Sequence, residues 1–261
     1  MTKVHGRPCW YELSTSEGNL GAAEAFYGAV LGWTCEDAGM EGFDYHLASV
    51  DGDMIAGLMI TPPDAGAMSP FWMIYFAVDD ADAAAARIAA AGGQVFRAPA
   101  DIPGTGRFAV VSDPQGAAFG ILQPEPMPGG GAGNAFDQQK AGHGNWNELM
   151  SSDPEAGFSF YADIFGWQKS QAVDMGDMGT YQVFASDGAD IGAMMGLGNS
   201  PVPAWLPYFG VNGVETAIGR ITAAGGTLAH GPMEVPGGAF IAVAQDPQGA
   251  WFAVVGPKDV S

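Results

Sequence analysis

Residues 10–16 read Trp-Tyr-Glu-Leu-Ser-Thr-Ser and residues 146–152 read Trp-Asn-Glu-Leu-Met-Ser-Ser, so one short stretch occurs twice, 136 positions apart (146 minus 10). Three further matches follow in the same order: Phe26-Tyr27 with Leu31-Gly32-Trp33 and Phe160-Tyr161 with Phe165-Gly166-Trp167, Ala91-Gly92-Gly93 and Ala224-Gly225-Gly226, and Asp113-Pro114-Gln115-Gly116 and Asp246-Pro247-Gln248-Gly249. Their spacings are 134, 133 and 133 positions (160 minus 26, 224 minus 91, 246 minus 113). Ordered matches at nearly constant spacing predict an internal duplication.

The two copies are separated by a stretch rich in proline and glycine. A chain of 261 residues is long enough for two domains that each bury a core. Residues 124–144 include Pro124, Pro126, Pro128 and the run 129–131 of glycines, which is the composition of a flexible linker. The sequence therefore predicts a first domain over 1–124, a linker over 125–142 and a second domain over 143–261.

Within the first copy, strand and helix patterns alternate. Residues 8–15 read as a strand, and residues 20–31 as a helix, because Phe26 and Val30, like Tyr27 and Leu31, are spaced i, i+4. Strands are predicted next at 43–50 and 54–61. A second cycle has a strand at 71–78, a helix at 80–91 and strands at 94–97, 107–112 and 117–123. The pattern predicts an α+β fold built from four tandem βαβββ modules, two in each domain.

Composition excludes several classes of partner. Nine basic residues stand against 29 acidic ones, and the formal charge of −20 repels nucleic-acid phosphates and anionic lipid. The apolar runs are shorter than the roughly 20 residues of a membrane span, and residues 1–9 lack the apolar centre of a secretion signal. Cys9 and Cys35 form no CxxC or Cys/His cluster. We therefore expect a cytoplasmic protein with no nucleic-acid or membrane partner.

Three motifs carry a resemblance to a known family. The helix end Phe26-Tyr27-x3-Leu31-Gly32-Trp33, the junction Val78-Asp79-Asp80 and the hairpin Asp113-Pro114-Gln115-Gly116 resemble those of the vicinal oxygen chelate superfamily of glyoxalases, bleomycin-resistance proteins and extradiol dioxygenases. The resemblance covers both halves outside the linker. The Trp-x-Glu-Leu opening of each half is similar to two-domain members described as actinobacterial antigens and hydroxylases. The resemblance implies curved mixed sheets in which paired modules form a ligand cup in each domain.

The same resemblance implies a metal site, which the aligned residues do not support. Enzymes of the family hold a divalent metal through His or Glu on the first and last strands of the modules, since these side chains supply the nitrogen and oxygen donors. Here the aligned positions are all non-ligating: Trp10, Met73, Trp146, Leu206, Gly57, Ala193, Gly120 and Ala253. Residues 54–60 and 191–197 contain no Asp, Glu or His. We therefore predict no metal and no cofactor, and a cavity enlarged by the glycines and alanines.

Glu12 and Glu148 are the candidate catalytic residues. Each comes two residues after the tryptophan that replaces a metal ligand, and side chains at i and i+2 of a strand share a face. Glu12 would therefore face the cup with Trp10, while Tyr11 and Leu13 would face the helix. A carboxylate in such a cavity could bind a hydroxyl-bearing or cationic ligand, or act as a general base. The alternative is an ordinary strand glutamate near a domain edge.

The candidate ligand-binding residues are four tryptophans and one arginine. The tryptophans match across the repeat, and their rings could stack on a flat ligand or belong to the core: Trp10, Trp146, Trp72 and Trp205. Arg107 precedes a strand of the first domain only and could anchor an anionic group.

Three functional hypotheses follow from these residues. The first is a binding protein for a small apolar or aromatic molecule. The second is a metal-free enzyme, an isomerase, lyase or hydroxylase, in which Glu12 or Glu148 moves a proton. The third is a metal-dependent glyoxalase-type lyase or dioxygenase with ligands at other positions. The sequence leaves open whether the protein is an enzyme, which modules pair, and the oligomeric state.

Overall fold

The computed structural model describes residues 4–40, 42–62, 68–125, 133–198 and 200–259. The first half has two cycles: β1 (Pro8–Thr15), α1 (Leu20–Leu31), β2 (Thr34–Asp37), β3 (Tyr45–Val50) and β4 (Asp53–Ile60), then β5 (Phe71–Ala77), α2 (Ala81–Ala90), β6 (Gln94–Ile102), β7 (Gly106–Ser112) and β8 (Ala118–Pro124). The second half repeats them: β9 (Gly144–Ser151), α3 (Pro154–Phe165), β10 (Gln168–Asp174), β11 (Thr180–Ser186) and β12 (Ala189–Gly196), then β13 (Ala204–Gly210), α4 (Val214–Ala223), β14 (Thr227–Glu234), β15 (Phe240–Gln245) and β16 (Trp251–Gly256). The four predicted βαβββ modules, numbered 1 to 4 below, are confirmed.

Strand β2 is the one strand of module 1 that the sequence pattern did not locate. It has only four residues, Thr34–Asp37, and three of them are exposed. Its partner β3 holds it at the end of the sheet, where Cys35 pairs with Ala48. A short polar edge strand has no apolar alternation, so periodicity does not reveal it.

The strands form two mixed eight-stranded sheets, one from each half of the chain. The strand order is β2-β3-β4-β1-β5-β8-β7-β6 in the first sheet and β10-β11-β12-β9-β13-β16-β15-β14 in the second. The first strand of a module pairs in parallel with the last strand of the same module, as β1 does with β4 and β5 with β8. The two sheets and four helices confirm the α+β fold class.

Contacts group the chain into two compact units, each of which combines modules from both halves. The outer unit is made of Trp10–Met73, Asn134–Trp146 and Pro207–Ser261. The inner unit is made of Met1–Cys9, Ile74–Gly133 and Asn147–Leu206. Modules 1 and 4 therefore supply most of the outer unit, and modules 2 and 3 most of the inner unit. The limits 1–124 and 143–261 stay a prediction about the domains.

A buried chain of hydrogen bonds ties helix α1 to module 4 within the outer unit. The indole of Trp72 donates to the hydroxyl of Tyr27 at 2.8 Å, and that hydroxyl donates to Asp246 at 3.0 Å. Burial raises the pKa of Tyr27 well above its ordinary value, and burial also raises the pKa of Asp246. Because a buried polar group without a partner costs free energy, this chain fixes the helix against the hairpin that carries Asp246.

The inner unit repeats this arrangement with the equivalent residues. Trp205 donates to Tyr161 at 3.1 Å, and Tyr161 donates to Asp113 at 3.2 Å. The Asp113 carboxylate also accepts the backbone N–H groups of Gln115 and Ala117, which shapes the Asp-Pro-Gln-Gly hairpin. The repeated hairpin motif is therefore a structural anchor.

The described end of the predicted linker is packed against module 1. Of the linker, residues 126–132 lie outside the described residues. Beyond them, the Asp53 carboxylate at the start of β4 accepts hydrogen bonds from Asn134 at 2.7 Å and Lys140 at 2.8 Å, and its oxygen lies 3.2 Å from Nε2 of His143. These partners, Lys140 first, lower the pKa of Asp53 well below its ordinary value. His143, the first residue of the predicted second domain, is fully buried.

Candidate functional site

One face of module 1 brings three side chains of different strands together. The indole N–H of Trp10 on β1 donates to the hydroxyl of Tyr45 on β3 at 2.9 Å. That hydroxyl donates in turn to Oε2 of Glu12 at 3.1 Å. All three side chains are half-buried. We call Trp10, Tyr45 and Glu12 the Glu12 site.

Strand alternation places these residues on one face and the core on the other. Tyr11 and Leu13 are fully buried, and the ring of Tyr11 packs edge-on against Phe209 with centroids 5.4 Å apart. Successive side chains of a strand point to opposite faces, so Trp10 and Glu12 lie on the face away from this core.

Gly57 is what allows Tyr45 to reach Glu12. Gly57 pairs with Glu12 across the parallel β1–β4 ladder and with Leu47 across the antiparallel β3–β4 ladder. A Cβ atom at residue 57 would lie 1.9 Å from the hydroxyl oxygen of Tyr45 and 2.2 Å from its Cζ. The phenol therefore covers the backbone where the family's ligating side chain is missing.

The expectation of an enlarged cavity is wrong at both glycines. Tyr45 fills the space above Gly57. Within the inner unit, the ring of Tyr75 fills the space above Gly120, where a Cβ would come within 2.1 Å of Cδ1. Tyr75 and Gly120 are paired across the parallel β5–β8 ladder. In both places an aromatic ring, rather than empty volume, replaces the missing side chain.

The electrostatics of the Glu12 site favour a protonated phenol. Burial raises the pKa of Tyr45 well above its ordinary value, and the nearby charge of Glu12 raises it further. A neutral phenol can donate to the carboxylate and accept from the indole at the same time. The site therefore presents a carboxylate held in one orientation by a hydroxyl.

A small cleft of module 1 is lined by Phe43, a neighbour of Tyr45. The rings of Phe43 and Tyr45 stack with their centroids 6.1 Å apart. The cleft has a volume of about 270 Å³ and is lined by Gly42, Phe43, Asp44 and residues 60–62. Its walls combine an aromatic ring, an acid and the end of β4.

The second copy carries the same residue types in a different setting. Glu148 is only 9% exposed, and it pairs with Ala193 across the β9–β12 ladder, as Glu12 pairs with Gly57. Tyr181 aligns with Tyr45 (45 plus 136). Residue 193 carries a methyl group, whereas its counterpart Gly57 has no side chain. Trp146 is half-buried.

Two of the predicted ligand-binding tryptophans lie in the core. Trp72 is 5% exposed and Trp205 is 6% exposed. The indole N–H of Trp72 donates to Tyr27, and that of Trp205 donates to Tyr161. Trp72 also packs edge-on against Phe209 at 5.1 Å. Their rings are enclosed by other aromatic groups of their units, so they are better explained as structural residues.

Arg107 is occupied by surface carboxylates. It donates to Asp82 through Nε at 2.7 Å and Nη2 at 3.0 Å, and to Asp101 through Nη1 at 2.9 Å. These two partners raise the pKa of Arg107 above its ordinary value. Because its guanidinium group already donates hydrogen bonds to two carboxylates, Arg107 is poorly suited to anchor another anion.

The sequence reasoning missed Tyr45, which completes the Glu12 site. Its signal was available, since Tyr45 and Tyr181 match at the shift of 136 that relates Trp10 to Trp146 and Glu12 to Glu148. The sequence could not show that the Tyr45 ring lies over Gly57 and reaches Glu12.

The residues present do not fit the divalent metal that the fold family implies. Across the described ranges, no group of three or more His, Cys, Asp or Glu side chains could hold a metal ion. In the Glu12 site, one carboxylate is accompanied by an indole and a protonated phenol, and neither of these ligates a hard cation. The phenol also covers Gly57, where a further ligand would be needed.

Comparison with known proteins identifies the family. A family model described as "Glyoxalase/Bleomycin resistance protein/Dioxygenase superfamily" matches residues 16–121 and 143–254. The chain therefore belongs to the glyoxalase, bleomycin-resistance protein and dioxygenase superfamily, with one matching region in each half. No helix in the described part of the chain is long and apolar enough to cross a membrane.

Two relatives align over nearly the whole chain. "Putative glyoxylase CFP32" of Mycobacterium tuberculosis is 33% identical over 259 residues, covering 97% of this chain and 95% of the relative. "Anthracycline biosynthesis protein DauV" of Streptomyces sp. (strain C5) is 31% identical over 268 residues, covering 96% and 93%.

Solved structures share the fold at low sequence identity. A Mn(II)-bound glyoxalase from Novosphingobium aromaticivorans matches with a TM-score of 0.66 and 17% identity, covering 98% of this chain and 83% of that one. The 2,2',3-trihydroxybiphenyl 1,2-dioxygenase of Sphingomonas wittichii strain RW1 matches with a TM-score of 0.69 and 14% identity, covering 98% and 92%. At these identities the likeness concerns the fold alone.

Proposed function

We propose that this protein binds a small, planar, hydroxyl-bearing aromatic molecule at the Glu12 site without using a metal. The observation that carries the proposal is the hydrogen-bond chain from Trp10 through Tyr45 to Glu12. This chain orients the carboxylate of a half-buried residue beside the rings of Trp10 and Tyr45. A carboxylate accepts hydrogen bonds from ligand hydroxyls, and indole and phenol rings offer stacking surfaces.

The surroundings and relatives of the site support the same class of ligand. A cleft of about 270 Å³ is lined by Phe43, whose ring stacks on that of Tyr45. One relative is named for anthracycline biosynthesis, and anthracyclines are planar, hydroxylated aromatic molecules. The net charge of −20 disfavours strongly anionic ligands and nucleic acid.

A titration with 1,2-dihydroxyanthraquinone tests the proposal. We expect saturable binding by calorimetry, with quenching of tryptophan fluorescence. Glu12→Gln should weaken binding by about tenfold or more, because it removes a charged hydrogen-bond acceptor. The matched control is Glu148→Gln, the equivalent change at the more buried copy, which should have a smaller effect. Equal losses for the two variants, or no binding to the native protein, would contradict the proposal.

Proton transfer by Glu12 is a second candidate function, favoured by the Tyr45–Glu12 hydrogen bond. A phenol that holds a carboxylate in one orientation suits that carboxylate to remove a proton next to a carbonyl group. Deuterium exchange at the α-carbons of hydroxyacetone in D2O, followed by NMR, tests this activity. Exchange that Glu12→Gln abolishes would favour an enzyme, whereas binding without exchange would favour a binding protein.

The metal-free part of the proposal has its own measurement. Elemental analysis of the purified protein should find no divalent transition metal at stoichiometric amounts. One equivalent of nickel, zinc, iron or manganese per chain would instead support the metal-dependent lyase or dioxygenase hypothesis.

A further inference from the structure

The segments that precede β1 and β9 make the same contacts in the two units. In the inner unit, the carbonyl of Gly6 accepts the indole N–H of Trp167 at 2.7 Å. In the outer unit, the carbonyl of Gly142 accepts the indole N–H of Trp33 at 2.7 Å. Gly6 and Gly142 also share a backbone φ of +77°. The two segments are therefore equivalent, residue by residue, at the shift of 136.

This equivalence places His5 of the inner unit where the outer unit has Ala141 (5 plus 136). His5 is inserted between helix ends. Its Nε2 lies 3.1 Å from the carbonyl oxygen of Ile164, and its Nδ1 lies 3.2 Å from the backbone nitrogen of Asp79. The N–H of Asp79 can only donate, so Nδ1 accepts and Nε2 carries the proton. In the inner unit, one ring nitrogen of His5 thus faces a backbone carbonyl and the other faces a backbone N–H.

The outer unit has a cavity at the equivalent place. The cavity has a volume of about 350 Å³, and its lining includes Ala141, Val30 and Asn212. Val30 is the counterpart of Ile164 (164 minus 134), and Asn212 is the counterpart of Asp79 (79 plus 133). Among the described residues, we find no hydrogen bond to the Val30 carbonyl or from the Asn212 backbone N–H. The inner unit binds the His5 ring through a carbonyl acceptor and a backbone N–H donor. In the described part of the chain, the outer unit has the equivalent carbonyl and N–H, at Val30 and Asn212, but has no imidazole ring between them.

A second difference concerns the arginine beside this position. In the inner unit, Arg87 pairs with the carboxylate of Asp163 at 3.3 Å. The counterparts in the outer unit are Arg220 and Ala29, so the arginine is kept and the carboxylate is lost. Arg220 lines the cavity, and the described residues include no ion pair that engages it. The lining also includes two acids, Asp51 and Asp259, and the Asp259 carboxylate accepts the backbone N–H of Thr216 at 2.6 Å.

We propose that this cavity of the outer unit is a second ligand site, for a neutral imidazole-type heterocycle that carries a carboxylate. The ring donates to the Val30 carbonyl and accepts from the Asn212 N–H, as His5 does with its own partners. The carboxylate pairs with Arg220 and replaces the one that Asp163 provides in the inner unit. The volume suits a compact molecule, since pockets for small ligands start at about 300 Å³. This site shares no residue with the Glu12 site.

The probes are imidazole and imidazole-4-acetate, measured by calorimetry on the full-length protein. We expect imidazole-4-acetate to bind one site per chain with a dissociation constant on the order of a millimolar or tighter, given its few atoms. Ala141→His should place a tethered imidazole in the cavity, abolish this binding and raise the melting temperature. Arg220→Gln should weaken imidazole-4-acetate about tenfold and leave imidazole unchanged, because only the former carries a carboxylate.

The inner unit supplies the matched control. His5→Ala should open an equivalent cavity and add a second imidazole site to the same chain. The proposal is overturned if imidazole-4-acetate shows no saturable binding, or if Ala141→His leaves its affinity unchanged. An equal loss of both probes in Arg220→Gln would overturn the carboxylate assignment. A change in melting temperature alone, with binding intact in Ala141→His, would also count against it.

Discussion

Replacing Gly57 by alanine tests the geometry of the Glu12 site most directly. The new methyl carbon would lie 1.9 Å from the hydroxyl oxygen of Tyr45, far inside van der Waals contact, so the phenol must move away from β4. Its hydrogen bonds to Trp10 and Glu12 would then be lost together. Gly57 does not have a positive φ, so alanine at this position introduces no backbone strain.

The size of the effect follows from these contacts. A neutral hydrogen bond contributes about 1 kcal/mol and one to a charged group about 2 kcal/mol, so their combined loss costs about 3 kcal/mol. Alanine is more favourable than glycine inside a strand by about 0.5–1 kcal/mol. The expected net destabilisation is about 2 kcal/mol, which lowers the melting temperature of a chain of this size by about 4–8 °C.

A double-mutant cycle isolates the steric cause. In a Tyr45→Ala background, Gly57→Ala should be neutral or stabilising, because the clashing ring is gone and only the backbone gain remains. Gly219→Ala is the control, since a Cβ at that exposed helical position meets nothing within 4 Å. It should raise stability slightly. If Gly57→Ala leaves the melting temperature unchanged while Tyr45 is present, the proposed path of the phenol is wrong.

Three other outcomes can be measured by thermal unfolding. Tyr27→Phe should cost about 1–3 kcal/mol, because the buried Asp246 carboxylate and the Trp72 indole both lose a partner. The lowered pKa of Asp53 means that its contribution to stability is present at neutral pH and is lost as the pH falls through the acidic range. Asp53→Asn should therefore lower the melting temperature at pH 7 and reduce its decrease at acidic pH. An unchanged decrease at acidic pH would show that the bonds to Lys140 and His143 contribute nothing. Incubation with EDTA should leave the melting temperature unchanged, and a fall of several degrees would reveal a structural metal.

The repeat carried most of the information about the fold. Matches such as Glu12 with Glu148 predicted two equivalent halves, because a duplicated sequence must build the same secondary structure twice. The alternation of strands and a helix within one half then predicted two modules in each. The short strand β2 escaped detection because it is polar and lies at a sheet edge. For Trp72 and Trp205 the sequence left both a ligand contact and a core role open, since apolar character alone does not distinguish a ring that meets a ligand from one that meets a buried tyrosine.

By itself, the sequence determined the α+β class, the module order, the family and the loss of ligating residues at the aligned strand positions. These are local properties, set by residue type, spacing and strand alternation. Only the tertiary structure decided that Tyr45 covers Gly57 and that Ala141 opens a cavity where His5 closes one. The first depends on a side chain that crosses from β3 to the neighbouring strand β4, and the second on contacts between residues far apart in the chain. In both cases the space beside a small residue is set by the side chain that packs there.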